Sequence, residues 1–206
     1  MKPYLIGVAG PSCAGKSYLA EHLAERLDAA LFRLDWYYRE LDHLSLAERA
    51  AYNFDSPEAL EFELLMEHVR RLQAGEKILR PAYDFHTHTR SGELREFAPR
   101  RFVIVEGLFA LYWEPLRAAL QTKIYIELDE QLCLQRRIER DMRERGRTRE
   151  SVLEQYRATV VPMAGQYLYP TRAHADLILA GDAEIAQATE SVMRHLEESA
   201  GINLSR

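Results

Sequence analysis

Apolar residues fall in short unbroken runs, and between the runs they recur every three or four positions. Tyr4-Leu5-Ile6-Gly7-Val8-Ala9 is a continuous apolar run leading into glycine-rich sequence, the signature of a buried strand. Leu19, Leu23 and Leu27 then repeat at i, i+4 and i+8 and predict a helix over 16–27. A second strand is predicted over 30–34. Ser56 followed by Pro57 pairs an N-cap residue with proline at the first helical position, so a helix is predicted over 57–73, closed by Gly75. Residues 76–99 contain Pro, Gly, Thr and Ser and read as strands and loops around Tyr83-Asp84-Phe85. Phe102-Val103-Ile104-Val105 has the character of a strand buried on both faces. A strand over 123–128, an arginine-crowded helix over 129–145 and a helix over 149–161 halted by Pro162 follow. A short strand over 176–179 and a helix over 183–198 end the pattern.

Strand alternating with helix predicts an α/β fold with a mainly parallel sheet flanked by helices. No internal repeat, low-complexity tract or composition break divides the chain, so one domain is expected over 1–206. At 206 residues and 47% hydrophobic content, the chain is long and apolar enough to bury a core. The 27 basic and 32 acidic residues give a net charge of −5, which disfavours a nucleic-acid-coating role. Of the basic residues 23 are arginine, and the four lysines are Lys2, Lys16, Lys77 and Lys123. Cys13 and Cys133 lie far apart and suggest neither a metal motif nor a disulfide framework, which points to a reduced, cytoplasmic setting. No run reaches the roughly 18 apolar residues of a membrane span, and no signal peptide is recognisable.

Residues 10–17, Gly-Pro-Ser-Cys-Ala-Gly-Lys-Ser, fit the G-x-x-x-x-G-K-[ST] phosphate-binding loop. Gly10 and Gly15 let the backbone curl, so that the amides of residues such as Ser12 and Ala14 can point at phosphate oxygens. Lys16 supplies a charge for the β- and γ-phosphates, Ser17 a hydroxyl for Mg²⁺, and the following helix a positive N-terminal end. Phosphoryl transfer also needs carboxylates for the metal and a base for the acceptor hydroxyl. In open α/β sheets ligands sit at the carboxyl ends of strands. Two acids stand at such ends, Asp35 after the second strand and Glu106 after 102–105. Either alone is an ordinary loop or capping acid; beside a phosphate loop the pair could share a metal ion.

These residues, with the blocks that follow, resemble the uridine–cytidine kinases within the phosphoribulokinase/uridine kinase group of P-loop kinases. The resemblance runs from about Tyr4 to Leu179. It is carried by the phosphate loop, Leu34-Asp35-Trp36-Tyr37-Tyr38, Asn53-Phe54-Asp55-Ser56-Pro57-Glu58-Ala59 and Tyr83-Asp84-Phe85-His86-Thr87-His88-Thr89-Arg90. It continues in Val105-Glu106-Gly107, Arg136-Arg137-Ile138-Glu139-Arg140-Asp141, Glu144-Arg145-Gly146-Arg147, Gln155-Tyr156, Pro170-Thr171-Arg172 and Ala175-Asp176.

The resemblance implies a three-layer sandwich of the P-loop NTPase type, with a strand-and-loop insertion near 76–99 and a helical lid near 141–149. It implies an ATP-dependent kinase of uridine and cytidine using Mg²⁺, with GTP open as an alternative donor, and a homo-oligomer, in particular a tetramer. By the same resemblance Asp35 is the general base, and Asp35, Glu106 and Ser17 hold the metal. Asp55 grips the ribose hydroxyls, while Tyr38, Phe54, Tyr83 and Phe85 line the nucleoside pocket. His88 reads the base, with His86 as a neighbouring alternative. Arg137, Arg140 and Gln155 belong to the acceptor pocket, and Arg145 and Arg147, ahead of Arg143 and Arg149, act as lid arginines on the nucleotide. Lys16-Ser17-Tyr18 departs from the family's paired hydroxyls, and Ser56 and Trp36 are further departures. Related acceptors such as nicotinamide riboside, ribulose 5-phosphate or pantothenate, and a nucleotide sensor with little turnover, are the competing expectations.

Overall fold

The computed structural model describes residues 2–198 and 201–204, so residues 1, 199–200 and 205–206 of the expected 1–206 unit lie outside the described residues. Along the chain run β1 (Tyr4–Ala9), α1 (Lys16–Leu27), β2 (Ala30–Arg33), α2 (Leu46–Ala50), α3 (Phe62–Gln73), β3 (Ile78–Asp84), β4 (Thr89–Phe97), β5 (Phe102–Glu106), α4 (Glu114–Ala119), β6 (Thr122–Glu127), α5 (Glu130–Arg145), α6 (Arg149–Gln155), α7 (Val161–Met163), β7 (Leu177–Ala180) and α8 (Ile185–Glu198). Five strands form one sheet in the order β2-β5-β1-β6-β7, and every pairing in it is parallel. β3 and β4 form a separate antiparallel hairpin.

The apolar runs are buried on both faces because successive side chains of a strand point opposite ways. Leu5, Val103 and Val105 face one core with Leu65, Val69 and Leu72 of α3 and Leu116 of α4. Ile6, Val8, Ile104 and Ile124 face the other, with Leu19 and Leu23 of α1 and Val192 and Leu196 of α8. The result is the expected three-layer arrangement of helices on both sides of a parallel sheet. No helix among the described residues is long and apolar enough to cross a membrane.

Two boundaries depart clearly from the sequence pattern, and two short helices lie outside it. The helix expected to begin at Pro57 is a short 3₁₀ turn there, Pro57–Ala59; α3 starts only at Phe62. Leu60 between them is extended and bridges to Tyr38, so tertiary pairing overrides the start signal. Pro162 does not stop the helix after α6. Wide π turns at Tyr156–Val160 and Ala164–Leu168 flank it. The widened turns fit a residue that has no N–H to donate and whose ring would crowd the carbonyl four residues back. The helices α2 and α4 were not foreseen. Each is five or six residues long, too short for a periodic pattern, although Ser45 and Glu48 make a capping box at α2 and Pro115 sits in the first turn of α4.

After β7 the chain runs against the phosphate loop. A Cβ placed on Gly181 would stand 1.9 Å from the Ala14 carbonyl oxygen and 3.1 Å from Cγ2 of Ile126. Arg136 locks the same junction, donating to the Gly181 carbonyl at 3.1 Å and to the Cys13 carbonyl at 3.5 Å. Gly181→Ala therefore forces backbone to move. The expected cost is about 1–3 kcal/mol, read as a fall in melting temperature of roughly 2–4 °C per kcal/mol. An unchanged melting temperature would contradict the close approach.

Candidate active site

The loop between β1 and α1 takes conformations that few residues tolerate. Gly10, Cys13 and Gly15 have φ of 149°, 66° and 103°. A Cβ on Gly10 would lie 2.4 Å from the Ile126 carbonyl oxygen. Cys13 is the non-glycine residue of the three, and holding its φ positive stores strain in the loop. The thiol is free, like that of buried Cys133. Helix α1 starts at Lys16 with no side-chain cap and no acid in its first turn. Its first amides and its positive end are left to an anion.

The acids stand where the strands end. Val8 of β1 and Arg33 of β2 are both in register with Glu106 of β5, so the three strands finish level beside the loop. Glu106 is buried; it accepts a hydrogen bond from Ser17 Oγ at 3.0 Å, and Lys16 Nζ lies 3.9 Å from the same oxygen. Arg33 approaches its other oxygen at 3.8 Å and holds Glu21 at 2.6 Å. Asp35 is half-buried in the 3₁₀ turn Leu34–Tyr37 that follows β2. Its carboxylate accepts no hydrogen bond from the described residues. Burial raises both carboxyls above the usual carboxylate range; the charges of Lys16, Arg145, Arg33 and Arg140 pull Asp35 back down, and Lys16 pulls Glu106.

The other end of the site is aromatic. Tyr38, Phe54 and Tyr83 meet at centroid distances of 5.2 and 5.3 Å, and Phe85 joins Tyr83 at 5.1 Å. Burial keeps the phenols of Tyr38 and Tyr83 well above their ordinary pKa, so both are neutral. Arg90 of the hairpin donates to the Tyr38 carbonyl at 2.9 Å and pairs with Glu61 at 2.6 Å, fixing the hairpin against the segment after β2. At the hairpin turn Asp84 accepts from the His86 amide and from the Thr87 hydroxyl. His88 then takes a φ of 53° and lays its ring over Phe54 at 5.8 Å. Burial first, then Arg145 and Arg147, lower its pKa, so the ring is a neutral imidazole.

Between the two ends lies a cleft of about 360 Å³, within the range of small-ligand sites. Ser12, Lys16, Ser17 and Asp35 line one part; Tyr38, Phe54, Asp55, Tyr83, Phe85 and His88 line another; Arg137, Arg140, Arg145, Arg147 and Gln155 form a wall. Gly10, Ala14 and Gly15 shape the loop beneath, and Glu106 lies behind Ser17. His86 also reaches the cleft, although its side chain is mostly exposed. Tyr18 points to solvent and meets His22 edge to face. A smaller cavity of about 30 Å³ adjoins the cleft at Ser12, Asp55 and Leu108, runs beside Pro11, Cys133 and Tyr156, and has room for little more than a water molecule.

Sequence reasoning missed four contributors. Arg33 sits inside a strand, where nothing marks it. Ala50 and Leu108 enter the cleft from segments without a motif. Asp141, an acid in an arginine-rich helix, is fully buried under the arginine wall. Arg137, Arg140 and Arg145 share α5 with it, and the turn after α5 adds Arg147.

The phosphate loop, the two strand-end acids and the aromatic pocket can be compared with known proteins. Residues 5–185 match the Phosphoribulokinase / Uridine kinase family. A uridine kinase of Chloroflexus aurantiacus is 40% identical over 198 residues, 95% of either chain. A uridine kinase of Macrococcus caseolyticus is 41% identical over 181 residues, 86% of this chain and 88% of that one. Among solved structures, phosphoribulokinase from Rhodobacter spheroides gives a TM-score of 0.66 at 20% identity, covering 87% of this chain and 70% of the other. D-glycerate 3-kinase from Cryptococcus neoformans gives 0.63 at 17% identity, covering 89% and 88%. At such identities the two structures speak to the fold alone, which is the three-layer fold seen here. The chain belongs to the phosphoribulokinase/uridine kinase family and is a P-loop kinase.

Proposed function

We propose that this kinase transfers the γ-phosphoryl group of ATP to the ribose 5′-hydroxyl of uridine and cytidine, giving UMP or CMP and ADP. One observation carries the reading. A single cleft joins a phosphate loop to an aromatic pocket holding an acid and a neutral histidine, and Asp35 lines that cleft together with Lys16, Tyr38 and Tyr83, whose charges and its own act on one another. The names of the relatives at about 40% identity agree.

The donor set suits Mg²⁺. Ser17 and Glu106 bring a hydroxyl and a carboxylate to within 3.0 Å of each other, and Asp35 offers a carboxylate free of protein hydrogen bonds. These are hard oxygen ligands, few enough to leave places for phosphate oxygens and water. Bound there, Mg²⁺ would neutralise charge on the β- and γ-phosphates.

The chain's own residues supply the rest. The loop amides and Lys16 hold the phosphates. Asp35 orients the 5′-hydroxyl and takes its proton as the new O5′–phosphorus bond forms and the bond from the γ-phosphorus to the β–γ bridging oxygen breaks, releasing ADP. Arg140 and Arg145 face Asp35 and the developing charge. Asp55 accepts from the 2′- and 3′-hydroxyls, and the aromatic pocket takes the planar base. Neutral His88 can donate to the 4-keto oxygen of uracil in one tautomer and accept from the 4-amino group of cytosine in the other.

Two experiments test this assignment. Asp35→Asn should lower kcat about 10²–10⁴-fold. Its melting temperature should stay at or above that of the wild type, because the substitution removes a charge that burial makes costly. Retention of most of the turnover would move the base elsewhere. The second uses pH. The His88 pKa is lowered in the folded protein, so protonation sets in only below the usual imidazole value of 6.5. Protonated, the ring donates from both nitrogens and cannot accept. The KM for cytidine should therefore rise on the acid side of that value while the KM for uridine holds. If the two move together, or neither moves, His88 does not read the base.

A further inference from the structure

One buried acid lies beneath both halves of the cleft. Asp141, near the end of α5, is fully inaccessible to solvent. Arg140 donates twice to its Oδ1, at 2.9 and 2.8 Å, and Arg145 lies 3.6 Å from that oxygen. Arg147 and Arg137 approach Oδ2 at 3.6 and 3.7 Å. Neither Oδ2 nor Arg137 Nε makes a hydrogen bond, although both are buried. The main-chain carbonyl of Asp141 meanwhile accepts from the amides of Gly146 and Arg147, closing the helix and the turn that carries the arginines.

Two of these arginines reach further. Arg137 lies 3.6 Å from Asp55 and donates to Gln155 Oε1 at 3.2 Å. Arg147 donates to the same Gln155 oxygen. A continuous polar chain thus runs from Asp55 in the acceptor half, through Arg137 to Asp141 and Gln155, to Arg147 on the lid side.

The charges do not balance. Four guanidinium groups crowd the Asp141 carboxylate, with Asp55 beside Arg137 as a second acid; the two Asp141 oxygens could accept about four hydrogen bonds and accept two, both from Arg140. The carboxylate keeps like charges together in a buried place where they would otherwise repel. The surplus positive charge faces the cleft, where a polyphosphate would complete it. The unsatisfied pair, Arg137 Nε and Asp141 Oδ2, sits at the centre of this arrangement and is free to tighten.

We infer that Asp141 is a positioning residue: it aims Arg145 and Arg147 at the triphosphate and, through Arg137, makes occupancy of the Asp55 pocket felt at the nucleotide. The inference rests on the kinase reading above and adds a coupling between its two substrates. In Asp141→Asn the amide keeps the size and loses the charge. The four arginines then lose their common anion, and Arg137 is released to pair fully with Asp55, in competition with the ribose.

The test uses the full chain and the nonhydrolysable analogue AMP-PNP with Mg²⁺, titrated calorimetrically with and without uridine. In the wild type uridine should tighten AMP-PNP binding about fivefold or more. Asp141→Asn should weaken AMP-PNP alone about tenfold and bring the uridine effect close to one, while Asp141→Glu restores part of both. Gln155→Leu, a half-exposed site that leaves Asp141 in place, should cut the uridine effect at least about threefold even if Asp141→Asn fails to fold. A wild-type ratio of one, or an Asn variant with wild-type affinity and ratio, overturns the inference. Uridine that neither binds nor turns over in the wild type instead overturns the substrate reading. The effect of Asp141→Asn on AMP-PNP alone then still decides whether Asp141 aims the arginines.

Discussion

Positive charge gathered at the carboxyl edge of a parallel sheet is the constraint on which the rest of this molecule depends. Lys16 and Arg33 stand against Glu106, and Arg137, Arg140, Arg145 and Arg147 surround Asp141. Such groups are tolerated in a partly buried cleft only because each faces an acid held by rigid backbone. The sheet supplies that rigidity. Val8, Arg33 and Glu106 share one register level, and α1 and α5 leave the same edge. A ligand carrying several negative charges finds a wall already organised for it, so little reorganisation is needed when it binds.

The aromatic half of the cleft depends on the same edge through different contacts. The β3–β4 hairpin is separate from the main sheet and is held to the segment after β2 by Arg90, which bonds the Tyr37 and Tyr38 carbonyls and pairs with Glu61. The tie sets Tyr38 against Tyr83 and brings the strained His88 over Phe54. Arg145 reaches across to the ring of Phe85 at 5.7 Å, so the arginine wall touches the hairpin as well as the phosphate side. The cleft is therefore built from segments far apart in sequence, and its two halves share the arginines.

How much of this was legible follows from what each signal encodes. Buried strands announce themselves by unbroken apolar runs, and the phosphate loop by residue types that only its backbone shape requires; both lie where the pattern placed them. The acids at strand ends could be ranked because Asp35 and Glu106 follow such runs directly. The break at Leu60 was hidden because it is decided by a bridge to Tyr38, far away in the chain. The helix through Pro162 was hidden because π turns are a tertiary accommodation with no composition of their own. Asp141 was visible as a residue and illegible as a buried one: a helical acid among arginines has the pattern of a solvated face, and only the returning turn at Gly146 and the packing of α6 against α5 bury it.

The most direct test is ADP release from ATP·Mg²⁺ by the purified chain, with uridine, cytidine, deoxycytidine, nicotinamide riboside or no acceptor in parallel. The account predicts turnover with uridine and cytidine, within about 1–100 per second. It also predicts kcat/KM on deoxycytidine lower by roughly 10²-fold or more, because loss of one hydroxyl leaves the Asp55 carboxylate short of a partner. Turnover with nicotinamide riboside in place of the pyrimidine nucleosides, equal use of deoxycytidine, or tight ATP binding without turnover on any acceptor would contradict it.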